Sequence, residues 1–229
     1  MPEILVLYGS QTGNSEEAAK RIAQEIPNHF HSKFTARHMQ LDDFLEFHKA
    51  AWTPLVIIVT SSYGVGAAPI GCGMFRQLCD FILEKNSQNR ENENFLNGIR
   101  YFMLGLGDSK YTTYFQNPAT IDRAMTVAGA MRVGELGKAD ASGPQLELIQ
   151  GWMDEVLWPN LKKVVGNWKE DEDVDFCVTA KERTWDLCLK ALPQLGEEME
   201  DGSKDDGNVM WKWFAVAVLV VAILLMKTN

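Results

Sequence analysis

Three stretches of this chain, residues 4–8, 55–60 and 99–105, are nearly unbroken apolar runs, and each gives way to a loop of small and polar residues. Runs of this length, rich in Val, Ile and Leu, are expected for parallel strands covered on both faces. Residues 131–136 read as a last strand, and 33–41, which alternate loosely, as an outer one. Between the strands the apolar residues fall at helical spacing. Over 14–26 they are Ala18, Ala19, Ile22, Ala23 and Ile26, with Pro27 as a stop. Helices are also predicted over 74–83, 121–128 and 146–165, a short helix or loop over 45–51, and a polar surface loop over 85–97. Strands alternating with helices predict an α/β fold with a parallel sheet and right-handed crossovers. Ligands of such sheets bind beyond the carboxyl ends of the strands, so the loops that follow the three runs are the candidate site.

The first of these loops is Tyr8-Gly9-Ser10-Gln11-Thr12-Gly13-Asn14-Ser15, followed by Glu16 and Glu17 in the first turn of a helix. A helix start leaves amide groups unpaired and carries partial positive charge, which suits a phosphate. Ser10, Thr12 and Ser15 add hydroxyl donors, Asn14 adds an amide, and Gly13 lets the backbone come close to the ligand. The loop holds no Lys or Arg. It therefore departs from the Gly-Lys-Ser/Thr of a nucleoside-triphosphate loop and from the Gly-x-Gly-x-x-Gly of a dinucleotide fold. A monophosphate held by neutral dipoles fits best.

The second and third loops each carry a tyrosine flanked by glycines: Tyr63 beside Gly64 and Gly66, and Tyr111 after Gly105 and Gly107. Two facing aromatics can sandwich a planar ring, and offset stacking contributes about 0.5–1.5 kcal/mol beyond burial. A phosphate at one end and a sandwiched flat ring at the other describe flavin mononucleotide (FMN).

With these motifs the chain resembles the flavodoxin-like FMN domain of the diflavin reductases. Residues 8–14 look like that family's phosphate loop, 63–66 like its middle loop, and 104–111 (LGLGDSKY) like its third. The resemblance covers roughly residues 1–165. It implies a five-stranded parallel sheet of order 2-1-3-4-5 with helices on both faces, and FMN stacked between Tyr63 and Tyr111. It further implies cofactor contacts from Ser10, Gln11, Thr12, Gly13, Asn14, Ser15, Ser61, Ser62, Gly64, Gly66, Leu106, Gly107, Asp108 and Phe115, with Asp140 near the site. One departure stands out: Ala67 and Ala68 precede Pro69 where the family usually has an acidic residue. The resemblance also implies electron shuttling and a separate NAD(P)H- and FAD-dependent reductase as donor, because no such domain follows the flavodoxin unit in this sequence. No catalytic acid, base or nucleophile is nominated.

Composition narrows the remaining classes. The chain has 229 residues, enough for one α/β domain with additions. Cys72, Cys79, Cys177 and Cys188 make no Cys-x-x-Cys pair, which argues against a structural metal or iron–sulfur site. The formal charge is −9, and most of the excess lies in residues 169–208. Clustered basic residues for nucleic acid are missing, so that partner is not expected.

Three regions follow: a flavodoxin-like domain over 1–168, an acidic linker over 169–208, and a tail over 209–229. Within the linker Trp185, Cys188, Leu189 and Leu192 have helical spacing, for a short helix that docks on the domain or on a partner. Residues 213–226 are uninterruptedly apolar, with Trp211 and Trp213 at one end and Lys227 at the other. This predicts a C-terminal transmembrane tail anchor, short for a ~30 Å hydrocarbon core and suited to the endoplasmic reticulum or mitochondrial outer membrane. With no signal peptide at the start, the domain is expected in the cytosol.

The expected role is that of a tethered FMN protein passing single electrons to a membrane-associated haem or iron–sulfur acceptor. Two other readings remain: a flavodoxin-like NAD(P)H:quinone reductase, and a non-redox adaptor that has lost the flavin.

Overall fold

The computed structural model describes residues 3–31, 33–88, 94–166 and 174–195. The three apolar runs form β1 (Glu3–Gly9), β3 (Leu55–Ser61) and β4 (Arg100–Gly107), which lie side by side in parallel, with β2 (Thr35–Gln40) outside β1. The order is β2-β1-β3-β4 and then β5 (Met131–Arg132), as expected, with β6 (Gly137–Asp140) also pairing β4.

The last strand differs from the single run predicted over 131–136. It is broken into β5, opposite Arg100 and Tyr101, and β6, opposite Leu104 to Gly107. Residues 133–136 span the distance that Phe102 and Met103 span in β4, so this edge carries two extra residues and bulges. The indole N–H of Trp152 donates to the Glu135 carbonyl at 3.1 Å and gives the bulged backbone a partner.

Both faces of the sheet are covered. On one, Ile4, Val6, Ile57, Val59, Phe102 and Leu104 pack with Ala19, Ile22 and Ile26 of α1 (Asn14–His29), and with Ile149 and Trp152 of α5 (Gln145–Trp152). The alternate residues Leu5, Leu7, Val56, Ile58, Tyr101 and Met103 point the other way and are equally buried. Three helices lie between α1 and α5 on the chain: α2 (Leu41–Glu46), α3 (Gly73–Ser87) and α4 (Gln116–Val127), the last packing on β3 and β4. Asp42 of α2 caps α3 from outside, its carboxylate accepting the amides of Gly73 and Phe75 at 2.8 and 3.0 Å.

Three helical expectations are corrected. Pro27 does not end α1, which continues to His29: the ring removes one amide bond near the end, and Phe30 still donates to Ile26 at 3.2 Å. The helix foreseen over 146–165 is α5, a π-helical turn (Met153–Leu157) and α6 (Trp158–Gly166). Pro159 cannot donate to the fourth carbonyl before it, and the wider turn gives its ring room. The helix expected within the linker is longer and belongs to the domain. It is α7 (Val174–Ala191), which presents Ala180, Thr184 and Cys188 inward. The Trp52 indole N–H donates to the Thr184 hydroxyl at 2.9 Å, and that hydroxyl donates to the Ala180 carbonyl at 2.7 Å.

Residues Met1–Ala191 form one unit and Leu192–Asn229 a second. Among the described residues no helix is long and apolar enough to cross a membrane. The expected tail anchor at 209–229 lies outside the described residues, as do 167–168 at the end of the predicted domain and 169–173 and 196–208 of the linker.

Candidate functional site

Four loops leave the carboxyl ends of β1, β3, β4 and β6 and meet around one cleft of about 360 Å³. That is the lower part of the ~300–1,000 Å³ range of small-molecule sites.

The first loop must turn from β1 into α1 within residues 10–13. Gly13 does so at φ 94°, a left-handed conformation that side chains rarely adopt. Its amide donates to the Ser10 hydroxyl at 3.1 Å, and its carbonyl accepts the Glu17 amide at 2.9 Å. Gln11, Thr12, Asn14 and Ser15 line the cleft, while Ser10 and Gly13 hold the loop's shape from behind. Ser15 is 1% exposed, and its hydroxyl has no hydrogen-bond partner. A buried hydroxyl left unpaired costs about 1–3 kcal/mol, so this one is placed for a ligand.

The second loop contributes Ser61, Ser62, Tyr63 and Gly64. Tyr63 and Ala67 exchange backbone hydrogen bonds at 3.1 and 2.9 Å, closing a small hairpin. Gly66 lies away from the cleft, where a Cβ would overlap the Gln116 side chain, so it is required for packing rather than for contact with a ligand. Buried Asn117 fixes the base of this loop. Its side-chain amide donates to the Ser61 carbonyl at 2.9 Å, and its backbone amide donates to the Ser62 hydroxyl at 3.0 Å.

The third loop contributes Leu106, Gly107, Asp108, Tyr111, Thr113 and Tyr114. The Ser62 amide donates to the Leu106 carbonyl at 3.1 Å, so the second loop stays tied to the end of β4, from which the third loop leaves. Tyr63 is 53% exposed and Tyr111 61%, which leaves ring surface free for a ligand to cover. Burial, then the charge of Asp140, pushes the Tyr114 phenol above its usual pKa and keeps it a neutral donor. Phe115 is not a wall of the cleft: it is buried, and a Cβ at Gly105 would overlap its ring.

The fourth loop adds Ala141 and Gln145. Gln145 accepts a hydrogen bond from the Asn14 side chain at 2.8 Å and donates to the Ala139 carbonyl at 3.0 Å, tying the first loop to the end of β6. Asp140 stands behind the wall rather than in it. Its Oδ1 accepts the amides of Ser109 and Ser142, each at 2.9 Å. The Ser109 hydroxyl, then these two amides, hold the carboxyl far below the usual carboxylate range.

Sequence reasoning did not single out Thr113, Tyr114, Ala141 and Gln145. Tyr114 had a signal, an aromatic three residues after Tyr111 in one loop. Gln145 had only its place at the start of a helix, and Thr113 and Ala141 carried none.

The residues present fit FMN. The helix start with its unpaired Ser15 hydroxyl suits a phosphate, and none of the cleft-lining residues described is a Lys or Arg. The half-exposed phenols of Tyr63 and Tyr111 suit a planar ring. Fold and site thus define an α/β protein that binds a phosphate-bearing planar cofactor at the carboxyl edge of a parallel sheet.

The chain belongs to the flavodoxin family, whose model matches residues 6–152. It is 34% identical over 155 residues to methionine synthase reductase of Caenorhabditis elegans, which covers 67% of this chain and 21% of that protein. It is 32% identical over 155 residues to NADPH–cytochrome P450 reductase of Saccharomyces cerevisiae, with the same shares. With pyruvate dehydrogenase [NADP(+)] of Cryptosporidium parvum it shares 32% identity over 160 residues, which is 68% of this chain and 8% of that protein. The chain therefore spans a small part of the length of these relatives, 8–21%. A cysteine-to-serine mutant of flavodoxin from Pseudomonas aeruginosa superposes with a TM-score of 0.50 at 22% identity, covering 70% of this chain and 99% of that one, a likeness of fold. Family membership implies FMN as the cofactor and an electron-transfer domain related to the FMN domains of diflavin reductases.

Proposed function

We propose that this chain is a membrane-tethered electron carrier that passes single electrons from a distinct NAD(P)H-dependent, FAD-bearing reductase to a membrane-associated haem or iron–sulfur protein. The observation that carries the reading is the cleft itself, with an unpaired buried hydroxyl on the phosphate loop and two half-exposed phenols on the loops beside it. When bound, FMN supplies the one-electron chemistry. The first-turn amides of α1, with Thr12, Asn14 and Ser15, hold the phosphate and fix the cofactor's direction. Tyr63 and Tyr111 cover the ring faces and exclude water from them. The backbone of Gly64 and Gly107 approaches the ring's edge.

A protein acceptor is supported by two relatives whose names are reductases of cytochrome P450 and of methionine synthase. The tether is supported by the apolar run 213–226 with tryptophans at one end and Lys227 at the other. On this reading the domain faces the cytosol from the endoplasmic reticulum or the mitochondrial outer membrane. The acidic residues of 169–208 then favour a basic partner face and speed encounter.

The test incorporates the full FMN-loaded chain into phospholipid vesicles with a diflavin-type reductase and a haem protein. NADPH-dependent haem reduction that needs the chain, and flotation with vesicles that is lost on removing 209–229, are the expected results. Steady turnover of NADPH with a quinone by the chain alone, or flotation unchanged by the truncation, would refute the carrier or the tether respectively.

A further inference from the structure

We propose that Asp140 is a positioning residue: through one carboxylate oxygen it fixes the loop that carries Tyr111, instead of touching the cofactor. The inference rests on the FMN reading above for its consequence and on geometry for its substance. Asp140 is the last residue of β6, a four-residue strand on the broken edge of the sheet, and its register partner is Gly107. Beyond that pair the ladder would end, yet the two chains stay together. Ala141 donates to the Gly107 carbonyl at 2.7 Å, and the Ser109 and Ser142 hydroxyls meet at 2.8 Å. Between these contacts lies Asp140 Oδ1, accepting one amide from each chain at 2.9 Å.

The consequence runs along the third loop. Ser109 is two residues before Tyr111, and the Tyr111 amide donates to the Asp108 carbonyl at 3.1 Å. Tyr111 is therefore the last residue of a tight turn, 108–111, whose second residue, Ser109, is pinned by Asp140. With 61% of its surface exposed, its place depends on its backbone more than on packing. Because the fourth loop also reaches the phosphate loop through Gln145 and Asn14, pinning it at Asp140 sets the spacing between the phosphate end and the ring end of the cleft.

Two substitutions separate this role from a charge effect. Asp140→Asn keeps an Oδ1 acceptor in place and removes the charge, whereas Asp140→Ala removes both. Full-length chains are compared by FMN titration, by flavin midpoint potential, and by amide hydrogen exchange of the cofactor-free protein. For Asp140→Asn we expect FMN affinity within about twofold of the parent and unchanged exchange at residues 109–111. For Asp140→Ala we expect roughly tenfold weaker FMN binding, from two lost hydrogen bonds, together with faster exchange at 109–111. Equal weakening and equal potential shifts in both variants would mean that the charge acts directly and would overturn the proposal. Parental affinity and exchange in Asp140→Ala would overturn it as well. If the parent chain takes up no FMN, the functional reading fails, while exchange in the cofactor-free variants still decides whether Asp140 pins the loop.

Discussion

Replacing Ser15 by Ala should move two measurements in opposite directions. In the cofactor-free protein the Ser15 hydroxyl is 1% exposed and unpartnered, a state that costs about 1–3 kcal/mol. Removing it relieves that cost, and Ala is the better helix former by up to about 0.5 kcal/mol. We expect the Ser15→Ala protein without FMN to be more stable by about 1 kcal/mol, which for a domain of this size raises Tm by about 2–4 °C. With FMN present the hydroxyl donates to a charged phosphate, a bond worth about 1.5–3 kcal/mol, so the Kd should rise about 10- to 100-fold. Thermal melts of the cofactor-free protein and quenching of flavin fluorescence on binding measure the two effects. A hydroxyl with a purely structural role would give the reverse, lower stability and unchanged affinity, and that result would refute the assignment of the phosphate to this loop.

Three other perturbations have defined outcomes. Thr184→Val leaves the Trp52 indole N–H buried without its acceptor and should destabilise the unit Met1–Ala191 by about 1–3 kcal/mol in urea melts of the full chain; an additive double mutant with Trp52→Phe would show that α7 is not docked through this bond. Tyr111→Ala should weaken FMN binding by about 1–3 kcal/mol through lost stacking and burial, and unchanged affinity would mean that no ring lies against it. Burial pushes the Cys72 thiol up to about 11, only partly offset by hydrogen bonds from Asn117 and Thr60. The folded state then holds this proton more firmly than the unfolded chain, with its usual value of about 8.5. The contribution is complete below that pH and is lost as pH rises toward 11. Melts between pH 8 and 10.5 should show the decline, with a shallower slope in Cys72→Ala.

The strands and three of the four loops could be read from the sequence because their signals are local. A run such as 55–60 leaves few options but a covered strand, and the Ser, Tyr and Gly residues that follow each run carry their own chemistry. The unread features depend on contacts between distant parts of the chain. Nothing local in 131–140 announces that the Trp152 indole will donate to a bulged carbonyl there, or that the turn before Pro159 will widen. The docking of α7 stayed open between the domain and a partner for a different reason. Its inward positions are Ala180, Thr184 and Cys188, small residues of which only Cys188 belongs to the predicted stripe, whereas the larger Trp185 and Leu189 of that stripe are only half-buried. Asp140 was placed near the site by resemblance, but its task as a brace was visible only once Ser109 and Ser142 stood on either side of it.

The stitching of the loops bears on how quickly charge can enter and leave. Ser10 is bonded to Ile70, Ser62 to Leu106 and Ala141 to Gly107, all through backbone groups at or just past the carboxyl ends of the strands. Walls tied in this way keep their dipoles oriented whether the bound ring is electron-poor or electron-rich. Little nuclear rearrangement is then needed in either direction, and the rate of exchange is governed by the distance and orientation at which a partner settles.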